Sequence, residues 1–151
     1  MEIEYLIKLK ETPKIGNWKN EGIPEIKIKE LENNLKIKLP FAFKEYLFLA
    51  GEFDNFLTGW NRGFENLEFM QEEAKKTFQK EGLILKPFWC FAEYNHAESS
   101  LFFFLDEGDN PPVYSFIADK GLLDEKGNEV SYLKFRNSFS EYIDKCIEAA
   151  S

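Results

Sequence analysis

The chain contains one histidine, His96, three residues after Glu93 in the run Glu93-Tyr94-Asn95-His96. A Glu-x-x-His pair ligates metal where i and i+3 share one face of a helix and where further glutamates complete the shell. Here the pair occurs once, at the end of an expected strand, and that position favours a surface loop. The two cysteines, Cys90 and Cys146, are far apart and form no CxxC motif. A catalytic thiol needs a base to become thiolate, and His96 is the only imidazole available. Cys90 alternates with aromatic residues and Cys146 falls on an apolar helical stripe, so both fit core packing. Asp106, Glu107 and Asp109 share one turn, but Pro111 and Pro112 interrupt the alternating oxygen ligands of a Ca²⁺ loop. Hydrolysis by paired carboxylates requires two groups facing across a cleft, a geometry that a sequence does not display. No P-loop, GxGxxG or GxSxG motif occurs. Arg62 and Arg136 are the only arginines, few for a site that grips phosphate through guanidinium forks. No metal, cofactor or catalytic residue is therefore expected. An enzyme would need a deep polar cleft joining Cys90 or Glu93 to His96.

The elements around these residues follow from periodicity. Ile3, Tyr5, Ile7 and Leu9 alternate and predict a strand, with Leu6 out of step. A loop with Pro13, Gly16, Trp18 and Gly22 follows. A helix is expected from about Pro24, with Ile28, Leu31 and Leu35 on its inner side, in a unit that ends at Leu39-Pro40. A second helix at 41–50 carries Phe43, Tyr46, Leu47 and Ala50 at i, i+3, i+4 and i+7, with Gly51 placed to close it. Residues 52–65 read as a loop. A third helix runs from Asn66 to Gly82 on the stripe Leu67, Met70, Ala74 and Phe78. The period then changes. Residues 88–94, 101–105 and 113–118 are short, aromatic and bounded by turns, and predict an antiparallel sheet with the middle run central. A weaker strand is expected at 129–135. Ser138 and Glu141 form a capping box for a last helix with Phe139, Tyr142, Ile143, Cys146 and Ile147 inward. Helices and strands are segregated, which predicts an α+β fold with an antiparallel sheet of about four to six strands.

The 151 residues fit a single domain, 1–151, in which 1–22 add an edge strand and loop. Sixteen phenylalanines argue for a packed interior. The opening MEIEYLIKLK lacks the basic start and unbroken apolar core of a secretory signal, and no window reaches transmembrane length. Two isolated cysteines fit a reducing cytoplasm. The net charge is −8, and residues 91–130 hold nearly all of it. Nine acidic residues lie there (Glu93, Glu98, Asp106, Glu107, Asp109, Asp119, Asp124, Glu125 and Glu129) against only Lys120 and Lys126. Such a stretch repels nucleic acid and anionic membranes, and it accelerates encounter with a basic protein. Excess charge also serves solubility alone.

The segment IKELENNLKIKLPFAFKEYLFLAGEF, residues 28–53, resembles the opening of the SUKH superfamily (Smi/Knr-like domains). The residues that carry the likeness are Leu31, Glu32, Leu35, Leu39, Pro40, Phe43, Lys44, Tyr46, Leu47 and Gly51. LFFFLDEGDNPPVYSF resembles the family's paired strands around a D-x-G-x-x-P-P-V-Y turn, and SFSEYIDKCI resembles its closing helix. The likeness spans about residues 23–148, with only a loose counterpart at Gly59-Trp60 and none for the first 22 residues.

The resemblance implies helices packed on an antiparallel sheet, function by binding, and no shared catalytic residues. Many bacterial members are similar to immunity proteins, which cover the active site of a cognate polymorphic toxin, often a nuclease or nucleic-acid deaminase. The expected partner is such a toxin, met by Glu93, Glu98, Asp106, Glu107 and Asp109, with Trp60 and Tyr94 as aromatic anchors. A regulatory or scaffold module with a non-toxin partner is the alternative.

Overall fold

The computed structural model describes residues 1–151. Its helical and strand halves follow the change of period near residue 85. The first half holds α1 (Ile7–Glu11), the short strands β1 (Lys14–Ile15) and β2 (Trp18–Lys19), α2 (Glu25–Leu35) and α3 (Phe41–Ala50). β3 (Asn61–Arg62), a 3₁₀ turn (Phe64–Asn66) and α4 (Leu67–Lys80) complete it. The second half holds β4 (Phe88–Tyr94), β5 (Ser99–Phe104), β6 (Val113–Ile117), β7 (Leu122–Leu123), β8 (Glu129–Val130), β9 (Tyr132–Arg136) and α5 (Phe139–Ala150).

The fold is α+β. Its main sheet is antiparallel with the order β3-β4-β5-β6-β9, so the run that is apolar on both faces, β5, is central as expected. Phe102 and Phe103 of β5 point to opposite faces. On one face Phe78 of α4 packs against Phe88, Phe102 and Phe116. On the other, Phe43 of α3 packs against Phe91, Phe103 and Phe139 of α5. Edge-on and tilted geometries dominate these clusters, as the ring quadrupoles favour. α4 thus covers one face, and α3 with α5 covers the other.

β3 is only two residues long and leaves the first half of β4 without a strand neighbour on that edge. The side-chain amide of Gln71 takes that place. Its Nε2 donates to the Phe88 carbonyl at 2.9 Å, and its Oε1 accepts the Cys90 N–H at 2.8 Å. A buried backbone group left unpaired costs about 1–3 kcal/mol, which accounts for a glutamine on the buried stripe of α4.

Four expectations are corrected. Residues 3–9 form no strand. Ile3, Leu6 and Leu9 are buried at a spacing of three, and the Glu45 carboxylate accepts the N–H groups of Glu4, Tyr5 and Leu6 at 3.1, 2.9 and 2.9 Å. Those bonds stop the chain from extending and start α1. Residues 1–22 add no edge strand to the main sheet, because β1 and β2 pair only with each other. α2 ends at Lys36, whose φ is +55°, ahead of Leu39-Pro40. Gly51 closes α3 without a left-handed conformation (φ −68°). A Cβ there would lie 2.6 Å from the Leu47 carbonyl oxygen, so close packing is what demands glycine.

Candidate protein-binding site

The fold divides the acidic stretch between two ends of the sheet. β5 separates the 95–98 turn from the 105–112 turn by six residues, about 20 Å at strand rise. Glu98, Tyr94 and His96 therefore lie at one end, and Asp106, Glu107 and Asp109 at the other. β6 returns to the first end, where the Ala118 N–H donates to the Glu98 carbonyl at 2.9 Å. The β7–β8 hairpin follows and brings Asp119, Asp124, Glu125 and Glu129 to that same end, against Lys120 and Lys126.

The 95–98 turn is built by Glu93. This carboxylate is 1 % exposed, accepts the Ala97 N–H at 2.9 Å and the Asn61 amide at 2.7 Å. Asn95, His96 and Ala97 all have positive φ, a run that L-residues adopt only where the surroundings fix it. Glu93 thus holds the turn from inside and has no surface to offer a partner. Tyr94 is 61 % exposed, and Glu98 is exposed with a short bond from the Asn95 amide. Trp60, half-buried, directly precedes Asn61, whose pairing with Glu93 in the β3–β4 ladder places it at the end of the sheet that carries Tyr94. Glu98, Tyr94 and Trp60 therefore share one end of the molecule.

The 105–112 turn works as a clasp. The Asp109 carbonyl accepts the Ala42 N–H at the start of α3 (2.8 Å), and the Asn110 side chain exchanges hydrogen bonds with Ser140 of α5 at 2.8 and 2.9 Å. Glu107 accepts the Tyr114 hydroxyl at 3.0 Å, and Lys86 pairs with Asp106 at 2.9 Å and Glu107 at 3.5 Å. Only the Asp109 carboxylate is both exposed and free of an ion pair.

Beneath Trp60 lies the most connected polar group of the chain. Asp54, with a side chain 1 % exposed, receives the Arg62 fork (Nε at 3.2 Å, Nη2 at 3.2 Å), the Tyr46 hydroxyl at 2.8 Å, and the Phe56 and Leu57 N–H groups at 3.1 and 2.8 Å. Burial pushes the Tyr46 phenol well above its ordinary pKa and keeps it a donor. Arg62 also donates to the Asp54 and Trp60 carbonyls at 2.8 and 3.1 Å, so the 54–62 loop is rigid.

Burial disfavours both thiolates: it pushes the Cys90 thiol up to about 12 and also raises that of Cys146. His96 is exposed and stands 3.4 Å from Glu73, away from the Glu93 carboxylate's partners. No group of three His, Cys, Asp or Glu side chains is arranged to hold a metal ion, and no helix is long and apolar enough to cross a membrane.

The model of the SMI1 / KNR4 family (SUKH-1) matches residues 22–145. The chain belongs to the SMI1/KNR4 family. No curated protein matches it. The SUKH match takes in α2 through most of α5, and α1 with the β1–β2 hairpin lies outside it. That hairpin carries the aromatic residue that sequence reasoning missed, Trp18, which is 61 % exposed. A signal was present, since Gly16-Asn17 between two short runs is a two-residue hairpin turn and Gly16 has φ +62°. Membership in this SUKH family supports a role in binding other proteins.

Proposed function

We propose that the protein is an immunity protein that binds and neutralises a cognate bacterial polymorphic toxin in the cytoplasm. Its acidic surface covers a basic active site of the nuclease or deaminase type. Family membership supports the class of function, and one observation supports the mode. Exposed carboxylates (Glu98, Asp119, Glu125 and Glu129) gather with Tyr94 and Trp60 at a single end of the sheet. An aromatic centre with a charged rim is the composition of a protein interface. A toxin that grips nucleic acid needs a positive cleft, and a negative surface competes for it and speeds encounter. Asp106, Glu107 and Asp109 lie about 20 Å away and are partly neutralised by Lys86, so they contribute less.

The test is co-expression in bacteria with each toxin encoded beside the gene. Restored growth with one of them, lost again with Glu98→Lys plus Glu129→Lys, is the expected result. Growth rescue from none of them, together with a stable complex with a non-toxin protein, would replace this reading by the regulatory one.

A further inference from the structure

The β1–β2 hairpin is fixed to α3 and the loop after it. The Glu21 N–H donates to the Phe53 carbonyl at 2.9 Å and the Phe53 N–H donates back at 3.0 Å. The Ile23 N–H donates to the Leu47 carbonyl at 2.9 Å. The chain passes so close that a Cβ on Gly22 would fall 1.6 Å from the Phe48 carbonyl oxygen. Trp18 is therefore a rigid projection with its ring 6.1 Å from that of Phe53, itself 37 % exposed. An indole held in water adds nothing to the core, whereas a preorganised aromatic pair is what a binding surface uses.

Phe53 also forms one wall of a cavity of about 270 Å³, and Trp60 forms another. Asp54 and Arg62 line it but neutralise each other. Hydrogen-bond acceptors remain. Glu52 is exposed and has no ion pair, and the Asn61 and Asn66 amides each donate one Nδ2 hydrogen, to Glu93 and to the Arg62 carbonyl, while their Oδ1 atoms stay available. Two aromatic rings with one free carboxylate and spare amide oxygens make a receptor for a cation.

We infer that this cavity receives a lysine or arginine side chain of the protein partner, and that Trp18 packs on the partner beside it. The inference rests on the protein-binding reading and names how the partner is gripped. Asn61 belongs to the cavity wall and pairs with Glu93, next to Tyr94, so the cavity adjoins the acidic end of the sheet.

The test titrates the ¹⁵N-labelled full chain with Nα-acetyl-arginine amide, Nα-acetyl-lysine amide and, as the uncharged control, Nα-acetyl-norleucine amide. Saturable shifts of the Gly51, Gly63 and Trp60 indole signals with a cationic probe, weakened about fivefold or more by Glu52→Gln, are expected. Absence of saturation, equal response to norleucine, or an unchanged Glu52→Gln variant would overturn the inference. Glu52→Gln alters an exposed group, and an unchanged spectrum away from the cavity reports that it folds. In the growth assay, full protection by Trp18→Ala plus Glu52→Lys rejects the cavity and leaves the immunity reading standing. A wild-type chain that protects against no toxin rejects that reading, while the titration still decides the cavity.

Discussion

Replacing Arg62 by Met removes the fork on Asp54 and keeps an apolar stem of similar length. Asp54 is 1 % exposed and Arg62 23 % exposed, so the carboxylate is buried and the guanidinium partly so. Breaking such a pair from one side costs about 3–5 kcal/mol, because the remaining charge stays in the interior. Here the carboxylate keeps the Tyr46 hydroxyl at 2.8 Å and the Phe56 and Leu57 N–H groups, which lowers the loss. The freed Asp54 and Trp60 carbonyls raise it slightly. The expected cost is about 2–4 kcal/mol, which for a domain of this size lowers Tm by roughly 5–15 °C. Urea unfolding followed by tryptophan fluorescence measures it, with the m value unchanged if the native state keeps its compactness. Arg62→Lys retains the charge without the fork and falls in between. A loss under about 1 kcal/mol for Arg62→Met would refute the view that this pair holds the loop carrying Trp60.

Three further outcomes follow from the same geometry. Glu125→Lys plus Glu129→Lys weakens binding to the partner toxin by about tenfold or more, whereas Asp106→Lys plus Asp109→Lys changes it less than about threefold, as titration calorimetry of both variants would read. Gln71→Leu leaves the Phe88 carbonyl and the Cys90 N–H unpaired and costs about 2–4 kcal/mol in chemical denaturation, with early hydrogen exchange at Cys90. Burial pushes the Cys90 thiol up to about 12, above its ordinary value, so thiolate is scarce at pH 8. At pH 8 a disulfide reagent should leave Cys90 untouched in the native protein and react fully after unfolding in guanidinium.

Most of the fold was legible because period and sterics agree in the long elements. Phe43, Tyr46, Leu47 and Ala50 have one solution, a buried helix, and Phe102-Phe103 needs layers on both sides. The N-terminus was misread because Ile3, Tyr5, Ile7 and Leu9 fit a strand while Ile3, Leu6 and Leu9 fit a helical turn. The choice is made by Glu45, some 40 residues away, whose carboxylate takes three N–H groups. The acidic stretch was read correctly as a sequence feature and wrongly as one surface, since contiguity along β5 becomes separation by the length of the strand. Glu93 looked like a surface acid because nothing local signals burial. Its role depends on Asn61 and on the left-handed turn it closes. Trp60 and Tyr94 reach the same end of the sheet only through the β3–β4 register.

The central claim is neutralisation by binding, and the most direct measurement uses purified proteins. The neighbouring toxin is assayed on its nucleic-acid substrate with increasing amounts of this chain at low and at physiological salt. Loss of toxin activity at a one-to-one ratio, with an affinity that weakens as salt rises, is the result expected of an acidic surface on a basic site. Undiminished toxin activity at a tenfold excess of the chain, at both salt concentrations, would contradict it.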